Sequence, residues 1–247
     1  AAEAIGRLPG VSLIRSGGEA NKVILRGMSD KFTTFTIDGV RVPPTDPDSR
    51  GVDMSAFSQG TLSGVELFKA LTPDKDADAI AGSINLVTRK APETRTIRLD
   101  VKGAYNQLNA SFGQYDINGR YGERFLDGLL GVQATGNFER RDRSNEQYSL
   151  AIENQASLGG RGYKYDDLTV QYTNEVRRRG GGSLLLDLNT PDGGSIRVNN
   201  LYSQTNRNYI NYNRNYPISG DAVNYRAWDR EQKVNTFNSS IRGDNTL

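Results

Sequence analysis

Apolar residues recur in two different rhythms along this chain. Up to about residue 93 they come in short groups broken by Pro, Gly and Asp. From Thr94 they alternate with polar residues over long stretches. In the first region Ala4, Ile5 and Leu8 share one face of a helix that Pro9-Gly10 breaks. Val11, Leu13 and Ile14 start a strand, and Ser16-Gly17-Gly18 turns it. Asn21–Arg26 and Thr33–Ile37 predict two more strands. Asp38-Gly39 predicts a hairpin turn, returning through Val40 and Val42 until Pro43-Pro44 ends the pairing. Thr45–Asp53 reads as a polar loop and Met54–Leu62 as a short helical turn. Val65, Leu67, Phe68 and Leu71 recur at helical spacing, opposite Glu66 and Lys69, and predict a helix that Pro73 stops. Asp74, Asp76 and Asp78 form a solvated turn, after which Gly82 opens a strand over Ser83–Thr88.

The second region has period 2. Ile97, Leu99, Val101 and Tyr105 lie on one face, and Arg98, Asp100, Lys102 and Asn106 on the other. A short loop, Leu108–Gly113, follows. Next, Tyr115, Ile117 and Tyr121 oppose Asp116, Asn118 and Arg120. After a tight turn at Leu126-Asp127-Gly128, Leu130, Val132, Ala134 and Phe138 oppose Gln133, Thr135, Asn137 and Glu139. Arg140 to about Asp167 reads as a long polar segment. The returning strand has two parts, Leu168–Val176 and Ser183–Leu188, with Gly180-Gly181-Gly182 as a bulge or kink between them. Asp192-Gly193-Gly194 turns the chain into a strand over Ser195–Tyr202. Ser203–Val223, rich in Asn and Tyr, reads as a loop, and Asn224–Arg242 as one long strand. About six strands result. One face suits lipid and the other a wet lumen, and short turns alternate with long loops, as in outer-membrane barrels.

Composition narrows the chemistry. The 247 residues carry a net charge of +2, which favours neither nucleic acid nor an acidic partner. The absence of Cys excludes disulfides and thiolate chemistry, and the absence of His removes the usual general base and metal ligand. Catalysis would rest on carboxylates, Lys or Tyr alone, and no enzyme is expected. No apolar run of about 18 residues is present, so no transmembrane helix is predicted. Residue 1 reads as mid-helix without a basic or apolar leader, so the chain is expected to be a segment of a mature protein.

Five motifs follow one another in the first ninety residues: LPGV, LRG, IDGV, VELFK and GSINLVT. In this order and spacing they resemble the plug domain of TonB-dependent outer-membrane receptors. The resemblance implies an α+β plug domain over residues 1–93. It implies antiparallel transmembrane β-barrel strands over 94–247, an incomplete part of a barrel of about 22 strands. The expected place is the outer membrane of a Gram-negative bacterium. The implied function is active transport of a scarce nutrient, a glycan, siderophore or similar, with the plug gating the lumen and no cofactor. The implied partners are the TonB complex of the inner membrane, outer-membrane lipid and lipopolysaccharide, and a surface lipoprotein. Two other readings stay open: a plugged barrel serving as scaffold or surface receptor, and a soluble β-rich binding domain. By resemblance Arg26 locks the plug to glutamates of the barrel wall; by residue pattern alone it is a surface arginine ending a strand. The second arginine that the family often places before the glycine turn is missing, and that acidic segment is similar to receptors for non-siderophore substrates.

Candidate ligand contacts fall in three places. The Lys31-Phe32 turn and the 45–53 loop, with Asp46 and Arg50, are candidate plug apices. Tyr209, Tyr212, Asn213 and Tyr216 offer aromatic faces and amides to a ligand, or an interfacial belt. Arg177-Arg178-Arg179 suits lipopolysaccharide phosphates, or equally a wetted strand. Asp74, Asp76 and Asp78 match three positions of a calcium loop, but Ala79 and Asn85 stand where Gly and Glu are needed, so no ion is expected.

Overall fold

The computed structural model describes residues 5–16, 19–44, 51–52, 54, 62–70, 78–154, 162–218, 220 and 222–245. Of the first predicted helix only its end is described, where Leu8 N–H donates to the Ile5 carbonyl at 2.9 Å. The turn predicted over 54–62 lies almost wholly outside the described residues. β1 (Val11–Ser16) and β2 (Glu19–Leu25) form an antiparallel hairpin. A short 3-10 turn at Asp30–Phe32 leads into β3 (Thr33–Ile37), and the Asp38-Gly39 turn into β4 (Val40–Arg41). β5 (Leu62–Phe68) and β6 (Gly82–Thr88) complete a four-stranded sheet in the order β4-β3-β6-β5, with β3 and β6 parallel. Phe35, Ile37, Ile84 and Leu86 from the two central strands meet Val23 and Leu25 of the hairpin in one buried core, with Ile5, Val42, Val52 and Met54 around them. Each such side chain taken fully from water contributes about 1.5–3 kcal/mol.

β5 corrects the helix predicted around Val65–Leu71. Val65 and Leu67 alternate with exposed Glu66, and they pair with Leu86 and Ile84 of β6. The same residues also fit helical spacing, and only the β6 ladder decides between the two. Gly82 at the head of β6 has φ +138°, and a Cβ there would stand 2.6 Å from the Phe68 carbonyl oxygen, so this position needs glycine.

The second region is one long antiparallel sheet. β7 (Thr96–Asn106), β8 (Ser111–Phe125), β9 (Leu130–Asp142), β10 (Asn145–Asn154), β11 (Tyr163–Asn189), β12 (Ser195–Pro217) and β13 (Asn224–Asp244) follow in chain order. The spatial order is β13-β12-β11-β9-β8-β7, with β10 also on β11. β9 runs along Val176–Leu188 of β11 and β10 along Tyr163–Thr173, so the two are one strand line interrupted at Arg143-Ser144. Ser144 Oγ caps the break by accepting Glu175 N–H at 3.1 Å. β7 and β13 are the free edges, and among the described residues the sheet does not close.

Three predicted connections are strand instead. The polar segment from Arg140 contains the end of β9, all of β10 and the start of β11. The Asn- and Tyr-rich stretch from Ser203 is the distal half of β12, paired without a break to β11 from Asn189↔Ser195 to Asp167↔Pro217. Gly180-Gly181-Gly182 is neither bulge nor kink, for its register is continuous with β9 and β12. In the distal half of β12 both faces are largely polar, which erases the alternation a strand shows over a one-sided core, whereas β10 does alternate, Tyr148, Leu150 and Ile152 against Gln147, Ser149 and Ala151.

Candidate functional site

The N-terminal domain sits on one face of the long sheet, here called the inner face. Leu201 of β12 packs against the domain's core. The polar join beside it is built on Asp38, whose φ of +49° belongs to the hairpin turn. Asp38 Oδ1 accepts Thr88 N–H at 2.9 Å, and Oδ2 accepts Thr88 Oγ1 at 2.6 Å and Asn199 Nδ2 at 3.0 Å. Asn199 is buried on β12, 161 residues away. Asn85 braces the same turn: its Oδ1 accepts Gly39 N–H at 2.9 Å and Thr36 Oγ1 at 2.8 Å, and its Nδ2 donates to Glu66 at 2.9 Å. The sequence marked Asp38-Gly39 only as a turn, and gave Asn85 and Thr88 no role beyond a motif. Farther along, the segment after β6 presses on the sheet where it has glycines. A Cβ at Gly131 would lie 2.6 Å from Ala91 Cβ, and one at Gly122 would lie 2.6 Å from Pro92 Cδ.

Beyond the domain the inner face is charged. The ladder places Glu139, Arg141, Arg177, Arg179, Glu175, Arg207, Tyr209 and Arg230 on this face of adjacent strands. Glu139 faces Arg141 at 3.3 Å, Arg177 at 3.4 Å and Arg179 at 3.7 Å. Glu175 receives Arg207 on both oxygens, at 2.9 and 2.8 Å, a fork that fixes orientation as well as charge. The Arg207 guanidinium also lies 5.3 Å from the Tyr209 ring centre, and Arg230 donates to the Tyr209 hydroxyl at 3.4 Å. Asp116 joins from β8, 3.4 Å from Arg141. Five arginines therefore share this wall with three carboxylates.

Residues 1–83 match the family described as the TonB-dependent Receptor Plug Domain. This part of the chain is a TonB-dependent receptor plug. Solved receptors share the wider arrangement. A mutant ferric enterobactin receptor from Pseudomonas aeruginosa, in complex with enterobactin, matches with a TM-score of 0.50 and 13% identity over 98% of this chain and 43% of that one. The siderophore receptor PirA from Acinetobacter baumannii matches with a TM-score of 0.47 and 12% identity, over 99% and 42%. The pyoverdine receptor FpvA from Pseudomonas aeruginosa matches with 0.47 and 13%, over 97% and 43%. The chain thus spans about two-fifths of the length of these receptors. No curated protein matches it in sequence. The long sheet therefore has the fold of the strands that follow a plug.

The predicted site residues distribute unevenly on this frame. Lys31 and Phe32 stand at the head of β3, the Lys31 Nζ 5.1 Å from the Phe32 ring centre. Lys31 lines a small plug cleft of about 180 Å³ with Thr33, Thr34, Arg41 and Asp78, the last two paired at 3.3 Å. The buried Thr33 hydroxyl in that cleft has no hydrogen-bond partner among the described residues. Asp46, Arg50, Asp74 and Asp76 lie outside the described residues. No group of acidic side chains among the described residues could hold a metal ion. Arg26 is exposed in the turn after β2 at φ +53°, and its N–H donates to Gly10 at 3.0 Å. No ion pair of its guanidinium occurs among the described residues.

The predicted Tyr and Asn cluster does not stay together. Strand alternation puts Tyr209 and Asn213 on the inner face with Arg207, and Tyr212 and Tyr216 on the outer face. There Tyr212 stacks on Tyr172 at 6.3 Å, and Arg214 covers Tyr216 at 5.4 Å.

Proposed function

We infer that this chain is the gate and part of the wall of an outer-membrane active transporter, driven from the inner membrane through the TonB complex. The observation that carries the reading is the plug's seat, the Asp38–Asn199 hydrogen bond and Leu201 holding a compact domain on the inner face of a barrel-type sheet. The outer face supports the membrane setting. Ile97, Phe237 and Ile241 on it are 66%, 69% and 77% exposed, and together with Leu99, Val101, Leu184 and Leu188 they make an apolar face that suits lipid. Motion of the plug away from the wall opens the lumen, and no bond of the substrate is made or broken.

The inner wall favours an anionic cargo over a neutral glycan. Its arginines outnumber its carboxylates, and Tyr209 offers a flat face beside Arg207. Enterobactin, bound by the receptor whose fold this chain shares, is a siderophore cargo, and a ferric siderophore fits this wall. The test is uptake by cells that lack the gene and then regain it, fed ferric chelates or oligosaccharides. TonB-dependent uptake of an anionic chelate is expected. Uptake of neutral oligosaccharide alone would refute the substrate class. No energised uptake of either, with a surface protein captured instead, would favour the scaffold reading.

A further inference from the structure

Besides the two ends of the sheet, β10 leaves one long side unpaired. β8 begins at Ser111, and its ladder with β9 reaches only Tyr115↔Arg140. β9 ends at Asp142, and β10 carries the strand line on alone beside β11, from Asn145↔Thr173 to Asn154↔Tyr163. The side of β10 turned away from β11 has no strand beside it among the described residues. Its 10 residues make an edge of about 34 Å at about 3.4 Å per residue.

The hairpin tip between β7 and β8 fixes where this edge begins. Asn109 Nδ2 donates to Asp142 at 3.0 Å and to Ser144 Oγ at 2.8 Å, and its Oδ1 accepts the Tyr172 hydroxyl at 3.0 Å. These bonds close the wall at the Arg143-Ser144 break and leave β10 open beyond it.

Native edge strands are commonly blunted by proline, by lysine, by a bulge or by being short. β10 has none of these. Its sequence, NEQYSLAIEN, holds no Pro, Lys or Gly. The one irregularity of its ladder is an extra residue, Asp166, and that residue lies on β11. Residues 146–153 are exposed at every position. Tyr148, Leu150 and Ile152 share one face, and Gln147, Ser149 and Ala151 the other. Glu146 and Glu153, toward the two ends of the edge, have no ion-pair partner among the described residues.

We propose that the free side of β10 takes up an extended segment of a partner protein as an added strand, apolar on one face and carrying a cation near each end. Backbone N–H and C=O groups along the edge supply the affinity, and alternate side chains supply the choice of partner. Charge selects among such strands, for an acidic one meets like charge at both ends and a basic one meets opposite charge. In an antiparallel added strand the residues opposite Glu153 and Glu146 stand seven apart. Residues opposite Ile152, Leu150 and Tyr148 fall at every second position between them, so Lys-Val-Thr-Val-Thr-Val-Thr-Lys matches the edge. A second copy of this chain does not fit. On the outer-membrane reading two copies point the same way, so their edges would meet in parallel, the apolar face of one continuing the Gln147 face of the other. The pairing itself rests on strand order alone.

The experiment titrates that peptide, fluorescently labelled, with the full-length receptor that carries this chain, in detergent, and reads anisotropy. Saturable binding is expected. Only every second N–H of an added strand faces the edge, so two N-methylated peptides, blocked on alternate residues, separate strand pairing from apolar adhesion. One is expected to bind at least about tenfold more weakly than the parent, and the other nearly as well. The Glu146→Lys, Glu153→Lys receptor is expected to lose several-fold in affinity for this peptide and to gain it for the form with Glu at both ends. Hydrogen exchange of the free receptor reads whether the edge is open, with fast exchange expected at alternate β10 amides. Equal binding of the two methylated peptides, no saturable binding, or no response to the charge reversal overturns the proposal. Slow exchange of every β10 amide overturns it too, since the receptor's own chain would then fill the edge.

Discussion

The plug and the long sheet of this chain sort the same residue types in opposite directions. In the plug, Phe35, Ile37, Ile84 and Leu86 are sealed inside, and the charged side chains, such as Glu66 and Arg41, face out. In the sheet, Leu184, Leu188, Phe237 and Ile241 face out, while Glu175, Arg177 and Arg179 are buried on the inner side. Each region obeys its own solvent. On the outer-membrane reading proposed above, a small domain inside a lumen is bounded by water and polar walls, so it hides apolar surface. On that reading a wall strand meets hydrocarbon on one side, so that side carries the apolar residues and the ion pairs retreat inward. The seat at Asp38 and Asn199 is where the two arrangements touch, and it is polar on both partners.

Substitutions of decreasing effect sharpen this contrast. Phe35→Ala empties the plug core and is expected to cost about 3–5 kcal/mol of plug stability. The loss should show in denaturant-dependent proteolysis of the assembled receptor, with the barrel band intact. Phe237→Arg puts a charge on the face proposed to meet lipid and is expected to cost up to about 2–4 kcal/mol, lowering the assembled fraction. Val234→Arg, on the inner face of the same strand, is expected to leave assembly unchanged. Equal damage from both would erase the distinction between the faces.

Gly82→Ala forces a Cβ against the Phe68 carbonyl at positive φ, at a cost of about 1–3 kcal/mol, read as faster plug proteolysis. Asp38→Ala and Asn199→Ala, combined in a double-mutant cycle, are expected to show about 1 kcal/mol of coupling. Because the chain has no cysteine, Asp38→Cys with Asn199→Cys gives a clean further check. A disulfide between them is expected to block energised uptake until it is reduced. Tyr209→Phe loses only a long hydrogen bond from Arg230, and stability should stay within about 0.5 kcal/mol. Under the proposed function, in which the cargo meets the ring face, uptake of an anionic cargo is expected to be nearly unchanged for this variant and weakened by Tyr209→Ala.

The candidate contacts named from the sequence were placed by the structure without being tested as ligand contacts. Lys31 lines the plug cleft while Phe32 packs on the core, and Tyr209 and Asn213 share the inner face with Arg207. Tyr212 and Tyr216 point the other way because β12 continues as strand where its composition suggested loop. Alternation put Glu139 on the polar face of its strand, but nothing in the sequence marked it, or Glu175, as the centre of arginine pairs. A carboxylate on a strand looks the same whether its arginines come from the next strand or from nowhere.

What the sequence settled by itself was local: the period-2 faces of β7, β8 and β9, the tight turns at Asp38-Gly39 and Leu126-Asp127-Gly128, and the plug motifs up to GSINLVT. Side-chain alternation and turn dihedrals depend on neighbours one or two residues away, so the order of residues is enough to fix them. Tertiary structure alone decided that Val65–Phe68 is strand, that β11 and β12 run unbroken through glycines and asparagines, and that Asp38 meets Asn199. In each of those cases the deciding hydrogen bonds come from a distant partner strand, and no short stretch of sequence contains both halves of the pair.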